Sequence, residues 1–308
     1  MELVRGLGNL RPAQRGAVAT IGAFDGVHLG HQALIRRTRQ LAALHNRTTM
    51  LITFEPLPRE YLQRDAAPAR LTNFRERWRL LSAAGVDALL VLRFNAALQQ
   101  MHGDEFVALL ARELQLRAIV VGYDFRFGRG GEMTAGVLEE LGRQHGFGVE
   151  IVPPVLVGNE RCSSSRIRAA LSAADFAAAA QLLGRPYSMR GRVVRGQQLG
   201  RSLGFPTANV RLKRRHCPLR GIFAARARGI AAQPLAAVSS LGTRPTIGAG
   251  GELLLETYIF DFDGDLYGCE LEIEFVARLR DEVQFADLPS LVAQMRRDSA
   301  LARRILAA

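Results

Sequence analysis

The first 184 residues alternate between two apolar rhythms, and this alternation restricts the fold more than any other feature of the chain. AVATIGAF (17–24), TMLITFEP (49–56), DALLVLRF (87–94), RAIVVGYDF (117–125) and VEIVPPVLV (149–157) are short apolar runs that read as buried strands. Between them lie segments with helical spacing: QALIRRTRQLAALHN (32–46), with Leu34, Ile35, Leu41 and Leu44 on one side, FRERWRLLSAAG (74–85), DEFVALLARELQ (104–115) and AGVLEELGRQHG (135–146). Strands that alternate with helices make a doubly wound parallel sheet covered on both faces. Ligands in such sheets bind at the carboxyl ends of the strands. Those ends carry DGVHLGH (25–31), EPLPRE (55–60) and DFRFGRGG (124–131), so the chemically interesting residues fall where the fold expects a site.

The pattern changes after DFAAAAQLLGRPY (175–187), a helix that Gly184 and Pro186 bring to a stop. From 187 to 285 the apolar runs are short and cut by glycine, as in GRVVRGQQLGRSLGFPTANV, GIFAARARGI, LAAVSSLG, LLLETYIFDFDGDLYG and ELEIEFVARL. That is the signature of an antiparallel barrel or sandwich. DLPSLVAQMRRDSALARRIL (287–306) closes the chain as a helix, with Pro289 in its first turn. We therefore expect an α/β domain over 1–184 and a β domain with a C-terminal helix over 185–308, each long enough to bury its own core.

Composition narrows the partners. The net charge is +12, carried by 41 basic residues of which only Lys213 is lysine. A bias toward arginine accounts for most of the total; at particular places guanidinium groups suit phosphate. Cys162, Cys217 and Cys269 are odd in number and far apart, which gives no disulfide framework and fits a reducing cytosol. No apolar run reaches the ~18 residues of a membrane span. The expectation is a soluble cytoplasmic protein.

His28 and His31, two of the six histidines, stand three apart where a strand turns into a helix. A helix start offers backbone N–H groups to an anion, and two imidazoles at this spacing can converge on the same anion. They can also be plain surface turn residues; half of a zinc site is a poorer fit, with no cysteine nearby. CSSSRIRAAL (162–171) puts three serines and two arginines at the head of a second helix, where they read as caps or as phosphate ligands. Gly191, Gly196, Gly200 and Gly204 surround a strand pair and permit close approach of backbone to phosphate, though any small barrel has glycine-rich hairpins. Glu256 sits within an apolar strand, on the same face as Tyr258 and Phe260 by period-two alternation, where partial desolvation would raise its basicity. Asp261, Asp263, Asp265 and Glu272 mimic a calcium loop, but Leu266 stands where that loop needs glycine; Asp263-Gly264 reads as a hairpin turn instead.

GAFDGVHLGH followed by SSSRIR resembles the nucleotidyltransferase superfamily, and TFEPLP, RLT, VVGYDFRFG and GRSLGFPTAN narrow the likeness. From about Ala17 to the last helix the chain resembles the bacterial bifunctional riboflavin kinase/FAD synthetase family, with both modules in order. The resemblance implies an N-terminal nucleotidyltransferase (FMN adenylyltransferase) domain and a C-terminal antiparallel β-barrel riboflavin kinase domain, with ATP, Mg²⁺, riboflavin, FMN and FAD as ligands. In the first, His28 and His31 would hold ATP phosphates, with Ser164, Ser165, Arg166 and Arg168 on the other side of the triphosphate. Phe24, Asp25, Gly26 and Gly30 would shape the turn, and Asp124, Phe125 and Arg126 would lie in the FMN-facing loop. In the second, Gly196, Gly200 and Gly204 would approach phosphate, Thr207 and Asn209 would reach Mg²⁺–ATP, and Glu256 would take the proton of the riboflavin 5′-hydroxyl. GTRPTIG (242–248) also matches the family.

Three other readings stay open at this point. RGGEMTAG (129–136) lacks the Gly-Asp that the family shows there, so a chain with an impaired adenylyltransferase half would make FMN only. A tRNA-charging relative would share the HxGH motif but needs a lysine-bearing second ATP motif, and Lys213 is in the wrong half. A basic RNA-binding protein would use the charge and RLKRRHCPLR (211–220), against an aromatic content of only 7% and no RNA-binding motif.

Overall fold

The computed structural model describes residues 1–308 apart from 65, 197–198, 215, 245–251 and 308, and the side chains of 199, 201, 243–244 and 252. Residues 245–248 of GTRPTIG fall outside it. The chain divides into two compact units, Met1–Pro68 with Arg77–Ser163, and Ala69–Glu76 with Ser164–Ala308.

The first unit runs β1 (Glu2–Arg5), β2 (Val18–Ile21), α1 (Leu29–Leu44), β3 (Thr49–Glu55), α2 (Pro58–Leu62), α3 (Phe74–Ala83, from Arg77 onward), β4 (Ala88–Arg93), α4 (Ala96–Gln100), α5 (Gly103–Leu114), β5 (Ala118–Gly122), β6 (Arg126–Phe127), β7 (Met133–Thr134), α6 (Ala135–Gln144), β8 (Gly148–Val152), β9 (Leu156–Val157) and β10 (Glu160–Arg161). Six strands form a parallel sheet in the order β1-β4-β3-β2-β5-β8. On one side Ala19, Ile21, Ile52 and Leu90 pack with Val107, Leu110 and Leu114 of α5 and Leu138 of α6. On the other, Val18, Ala118 and Val120 pack with Ala42, Leu34 and Leu41 of α1. Burial on both faces is why these strands read as continuous apolar runs rather than alternating ones. Leu44 departs from the expected stripe: it is 76% exposed, at the last residue of its helix. VEIVPPVLV is two pieces, since Pro153-Pro154 ends β8 and the remainder forms the small β9–β10 hairpin. From β2 the chain moves outward through β3 and β4, then returns to β5 on the other side of β2. The switch point therefore lies between the carboxyl ends of β2 and β5.

The second unit runs α7 (Ser164–Ser172), α8 (Phe176–Leu183), β11 (Ser188–Val194), α9 (Leu199–Ser202), β12 (Thr207–Arg211), β13 (Gly221–Arg228), β14 (Leu235–Arg244), β15 (Glu252–Ile259), β16 (Glu270–Arg280) and α10 (Leu288–Ala307). Its six strands close into an antiparallel barrel, β11-β12-β15-β14-β13-β16, which resolves the barrel-or-sandwich choice. Phe176 of α8 meets Phe223 and Phe275 at centroid distances of 5.9 and 6.2 Å. Ala302 of α10 packs on Ala224 and Phe260. Asp263-Gly264 is not a hairpin turn: β15 and β16 are not neighbours, so the loop crosses between separated strands.

The segment 69–76 is held in this unit by a buried cation. The Arg214 guanidinium, fully buried as a side chain, donates to the carbonyls of Arg70 (3.1 Å) and Leu71 (3.0 Å), to the Tyr187 hydroxyl (3.0 Å) and to Glu76. Several hydrogen bonds around one desolvated charge are what make such a group tolerable in a core.

Candidate active sites

In the first unit the turn after β2 carries three positive φ angles: Phe24 at 51°, Gly26 at 84° and Val27 at 44°. Only the glycine adopts such a conformation freely. A β-branched residue there is an outlier, and strain of this kind persists where surrounding structure over-determines it. Here Val27 donates its N–H to the Phe24 carbonyl (3.3 Å) and accepts from Gln32 Nε2 at 2.9 Å. Phe24, Asp25, Val27 and His28 are all buried. The turn delivers His28 to the N-cap of α1, where its Nδ1 accepts from the His31 N–H at 3.4 Å. The two imidazoles stack with centroids 3.6 Å apart and planes 19° apart. Gly30 keeps the space between them open: a Cβ there would lie 3.1 Å from the His28 ring, which would have to shift by a few tenths of an ångström. That Cβ would also lie 3.6 Å from the carbonyl of Cys162, just ahead of the serine run. Burial, then the neighbouring charges of His28 and Arg77, hold the His31 imidazole well below its usual range. His31 Nδ1 is buried with no hydrogen-bond partner among the described residues.

One further residue is built into this turn and carries no motif in the sequence. Arg77 of α3 is 1% exposed; it donates from Nη1 to the Ala23 carbonyl at 2.9 Å and from Nη2 to Glu55 Oε2 at 2.9 Å. In a chain this rich in arginine, FRERWR gives no sign of which guanidinium is internal. Its one legible mark is position, on the helical face that also buries Leu81.

The loop after β5 lies on the other side of the switch point. Asp124 and Arg126 are exposed, Phe125 is half-buried, and its ring stacks on Phe127 at 5.5 Å. Asp124 pairs with Arg161 of β10, which also donates to the Tyr123 hydroxyl at 3.1 Å. Arg161 was not singled out from sequence. The acid of RGGEMTAG, Glu132, fastens this loop: Oε1 accepts from the Gly103 N–H at 3.1 Å and contacts His102 Nδ1 at 3.3 Å.

Ser164, Ser165, Arg166 and Arg168 open α7 and belong to the second unit, where Arg168 Nε donates to the Ala69 carbonyl at 2.6 Å.

The barrel brings together the residues read from GRSLGFPTAN and LLLETYIF. Cross-strand pairing sets Asn209 against Glu256 and Thr207 against Tyr258, so all four share the outer face of the β12–β15 ladder. Leu253, Leu255, Thr257 and Ile259 point inward and are buried, while Glu256 and Tyr258 are half-buried. Phe205 and Phe260 sit edge-on to Tyr258 at 5.3 and 5.5 Å, which gives the Glu256 face an aromatic border. Gly196 approaches the Asn209 carboxamide so closely that a Cβ would overlap it. A Cβ at Gly200 would lie 3.2 Å from Thr207 Oγ1 and overlap the Phe205 carbonyl. Gly204 turns the chain at φ 82°. Asn209 is 6% exposed, and its Oδ1 is buried with no hydrogen-bond partner among the described residues. A hard amide oxygen beside the Thr207 hydroxyl fits a magnesium ion better than a softer metal.

Taken together, a doubly wound sheet with an imidazole pair at its switch point and a barrel with a hydroxyl, amide and carboxylate face define a two-module phosphate-handling transferase. The FAD synthetase family matches residues 10–166 and the riboflavin kinase family residues 183–306. The bifunctional riboflavin kinase/FMN adenylyltransferase of Escherichia coli K12 is 41% identical over 98% of this chain and 97% of its own. That of Pseudomonas fluorescens is 44% identical over 100% of this chain and 98% of its own. A solved structure described as a macrolide-efflux protein from Streptococcus pneumoniae superposes with a TM-score of 0.81 at 31% identity, over 98% of this chain and 99% of that one. Among the described residues no helix is long and apolar enough to cross a membrane. The chain belongs to the bifunctional riboflavin kinase/FMN adenylyltransferase family and carries both of its domains.

Proposed function

We infer that the chain phosphorylates riboflavin to FMN with ATP, and adenylylates FMN to FAD with a second ATP, releasing pyrophosphate. Two full-length relatives carry both activities in their names, and both family domains match, so the kinase-only reading is not favoured. The observation that most supports the reading is that the sheet carries its stacked imidazole pair at the switch point, while the barrel sets Asn209 against Glu256 and Thr207 against Tyr258 on one face.

For the kinase step, Glu256 takes the proton of the riboflavin 5′-hydroxyl as that oxygen bonds to the γ-phosphorus and the bond to ADP breaks. The isoalloxazine has an apolar surround in Phe205, Tyr258 and Phe260. Thr207 and Asn209 Oδ1, which has no hydrogen-bond partner among the described residues, would hold Mg²⁺, which supplies charge neutralisation for the phosphates. Gly196, Gly200 and Gly204 keep side chains away from the phosphate path.

For the adenylyl step, an oxygen of the FMN phosphate attacks the α-phosphorus of ATP and pyrophosphate leaves, so no protein nucleophile is needed. His28 and His31 hold the phosphates and stabilise the charge that develops on them. Ser164, Ser165, Arg166 and Arg168 act as further triphosphate ligands, and Asp124, Phe125 and Arg126 as the flavin-side loop. Phe24, Asp25, Gly26 and Gly30 shape the turn. We place the enzyme in the cytoplasm, on its cysteine usage and its cytosolic substrates.

The test is to incubate the protein with riboflavin, ATP and Mg²⁺ and separate the flavins by chromatography. FMN and FAD are both expected. Absence of both FMN and FAD removes the kinase assignment, and FMN without FAD restores the kinase-only reading. Glu256→Gln is expected to stop FMN formation yet leave FAD formation from supplied FMN intact; survival of both steps removes Glu256 as the base.

A further inference from the structure

Among the described residues of the first unit, Arg77 is a buried charge to which the proposed reactions assign no part. Its guanidinium is 1% exposed, whereas the side chain of its partner Glu55 is 33% exposed. A desolvated cation facing a half-solvated acid is an expensive arrangement for mere cohesion. Its second anchor says what it does. Nη1 donates to the carbonyl of Ala23, the residue directly ahead of Phe24. Phe24 holds φ 51° and is completely buried, and its ring lies 5.1 Å from that of His31, tilted by 52°. His31 in turn stacks on His28 at 3.6 Å. A continuous line of contacts thus runs from the guanidinium through one carbonyl and one ring to both imidazoles.

We propose that Arg77 is a positioning residue of the adenylyl step: it clamps the Ala23 carbonyl, fixes the strained turn that seats Phe24 against His31, and so aims the imidazole pair at the polyphosphate. The proposal rests on the reading of His28 and His31 as phosphate holders. It does not make Arg77 a ligand of ATP or FMN. The guanidinium is one of the charges acting on His31, so its removal alters the field around the pair as well as its seating. With FMN assigned to the loop after β5 and not to this turn, the defect is expected in kcat and not in the KM for FMN. A misplacement of about 1 Å in such a constellation costs about 100-fold in rate.

The experiment measures kcat and both KM values for FAD formation from supplied FMN and ATP in Arg77→Lys, Arg77→Gln, Arg77→Met and His31→Ala. FMN formation by the same chains serves as the concentration standard, and circular dichroism and melting report folding. Arg77→Met and Arg77→Gln are expected to lose about 10- to 100-fold in kcat, with the KM for FMN changed by less than about twofold. Arg77→Lys keeps the charge and one donor and is expected to stay within about threefold of the parent. The proposal is overturned if the neutral variants keep kcat within about threefold, if their defect is confined to KM, or if Arg77→Lys is no better than Arg77→Met. Should both neutral variants fail to fold, Arg77→Lys decides: a folded Lys variant down tenfold in kcat refutes the proposal. His31→Ala separates the two layers. If it retains FAD formation, the phosphate-holding reading itself is wrong. If it loses FAD formation while Arg77→Met does not, only the role of Arg77 falls.

Discussion

Replacing Gly196 by alanine tests the kinase geometry with a single methyl. A Cβ at 196 would lie 2.6 Å from Asn209 Cγ and 2.7 Å from its Oδ1. The nearest atom would be Asn209 Nδ2, closer still, and ordinary carbon contacts need about 3.5 Å, so the carboxamide must retreat by about 1 Å. It cannot swing into solvent, since Asn209 is 6% exposed and lies between two ladder partners, Val194 on β11 and Glu256 on β15. Overpacking of this kind costs about 1–3 kcal/mol of stability, about 2–4 °C of melting temperature per kcal/mol. The functional cost is larger, because the displaced atom is the proposed ion ligand: a shift near 1 Å in a catalytic constellation lowers rate by about 100-fold. The assay is kcat for FMN formation from riboflavin and ATP, with FAD formation from supplied FMN as internal control. We expect the first to fall by about 30- to 100-fold and the second to hold. FMN formation within about threefold of the parent would refute the argument, and so would equal loss of both reactions, which would mean general unfolding.

Three further outcomes follow from the same contacts. Val27→Gly frees φ 44° from a β-branched residue but also deletes a buried side chain, so it is expected to cost less in urea midpoint than Val27→Ala, which loses the same burial and keeps the positive φ, while slowing FAD formation as the turn loosens; a larger stability loss for Val27→Gly than for Val27→Ala contradicts the strain. Arg214→Met takes the buried counter-charge from Glu76, leaving it the N–H groups of Asn73 and Arg190, and is expected to cost about 3–5 kcal/mol in urea unfolding, part of which returns in the double variant with Glu76→Gln; a cost below about 1 kcal/mol contradicts the cluster's role. His31, held low in the folded protein, resists protonation while the unfolded chain takes up a proton near 6.5. Its contribution is therefore complete above that pH and declines as pH falls below it, so urea midpoints should drop from pH 7.5 to 5.5 and the drop should shrink in His31→Asn.

The sequence carried the architecture where burial writes a pattern. Continuous apolar strands and amphipathic helices made the parallel sheet legible, and glycine-cut runs did the same for the β domain. Period-two alternation correctly placed Glu256 with Tyr258, because β15 has one wholly interior face. What stayed hidden was set by tertiary contacts. The positive φ of Phe24 and Val27 contradicts local propensity and is imposed by packing around the turn. Asp263-Gly264 has hairpin chemistry, but barrel closure sends its flanking strands to other partners. Arg77 and Arg214 look like their many exposed neighbours, since a buried cation is recognised only by the acceptors folded around it. Nothing in ARLTNFRE tells that this segment packs with the later half of the chain.

That segment gives the ribosome an ordering problem. Glu76 meets Arg214 across 138 residues of chain. At about 5–20 residues per second of synthesis, the acid waits on the order of 7–28 s after emerging before its cation exists. Leu71 waits nearly as long for the Tyr187 hydroxyl, 116 residues downstream. The barrel therefore assembles around an early-made peptide kept in reserve. A gene cut at the single point between the two family domains would deliver the later product without it.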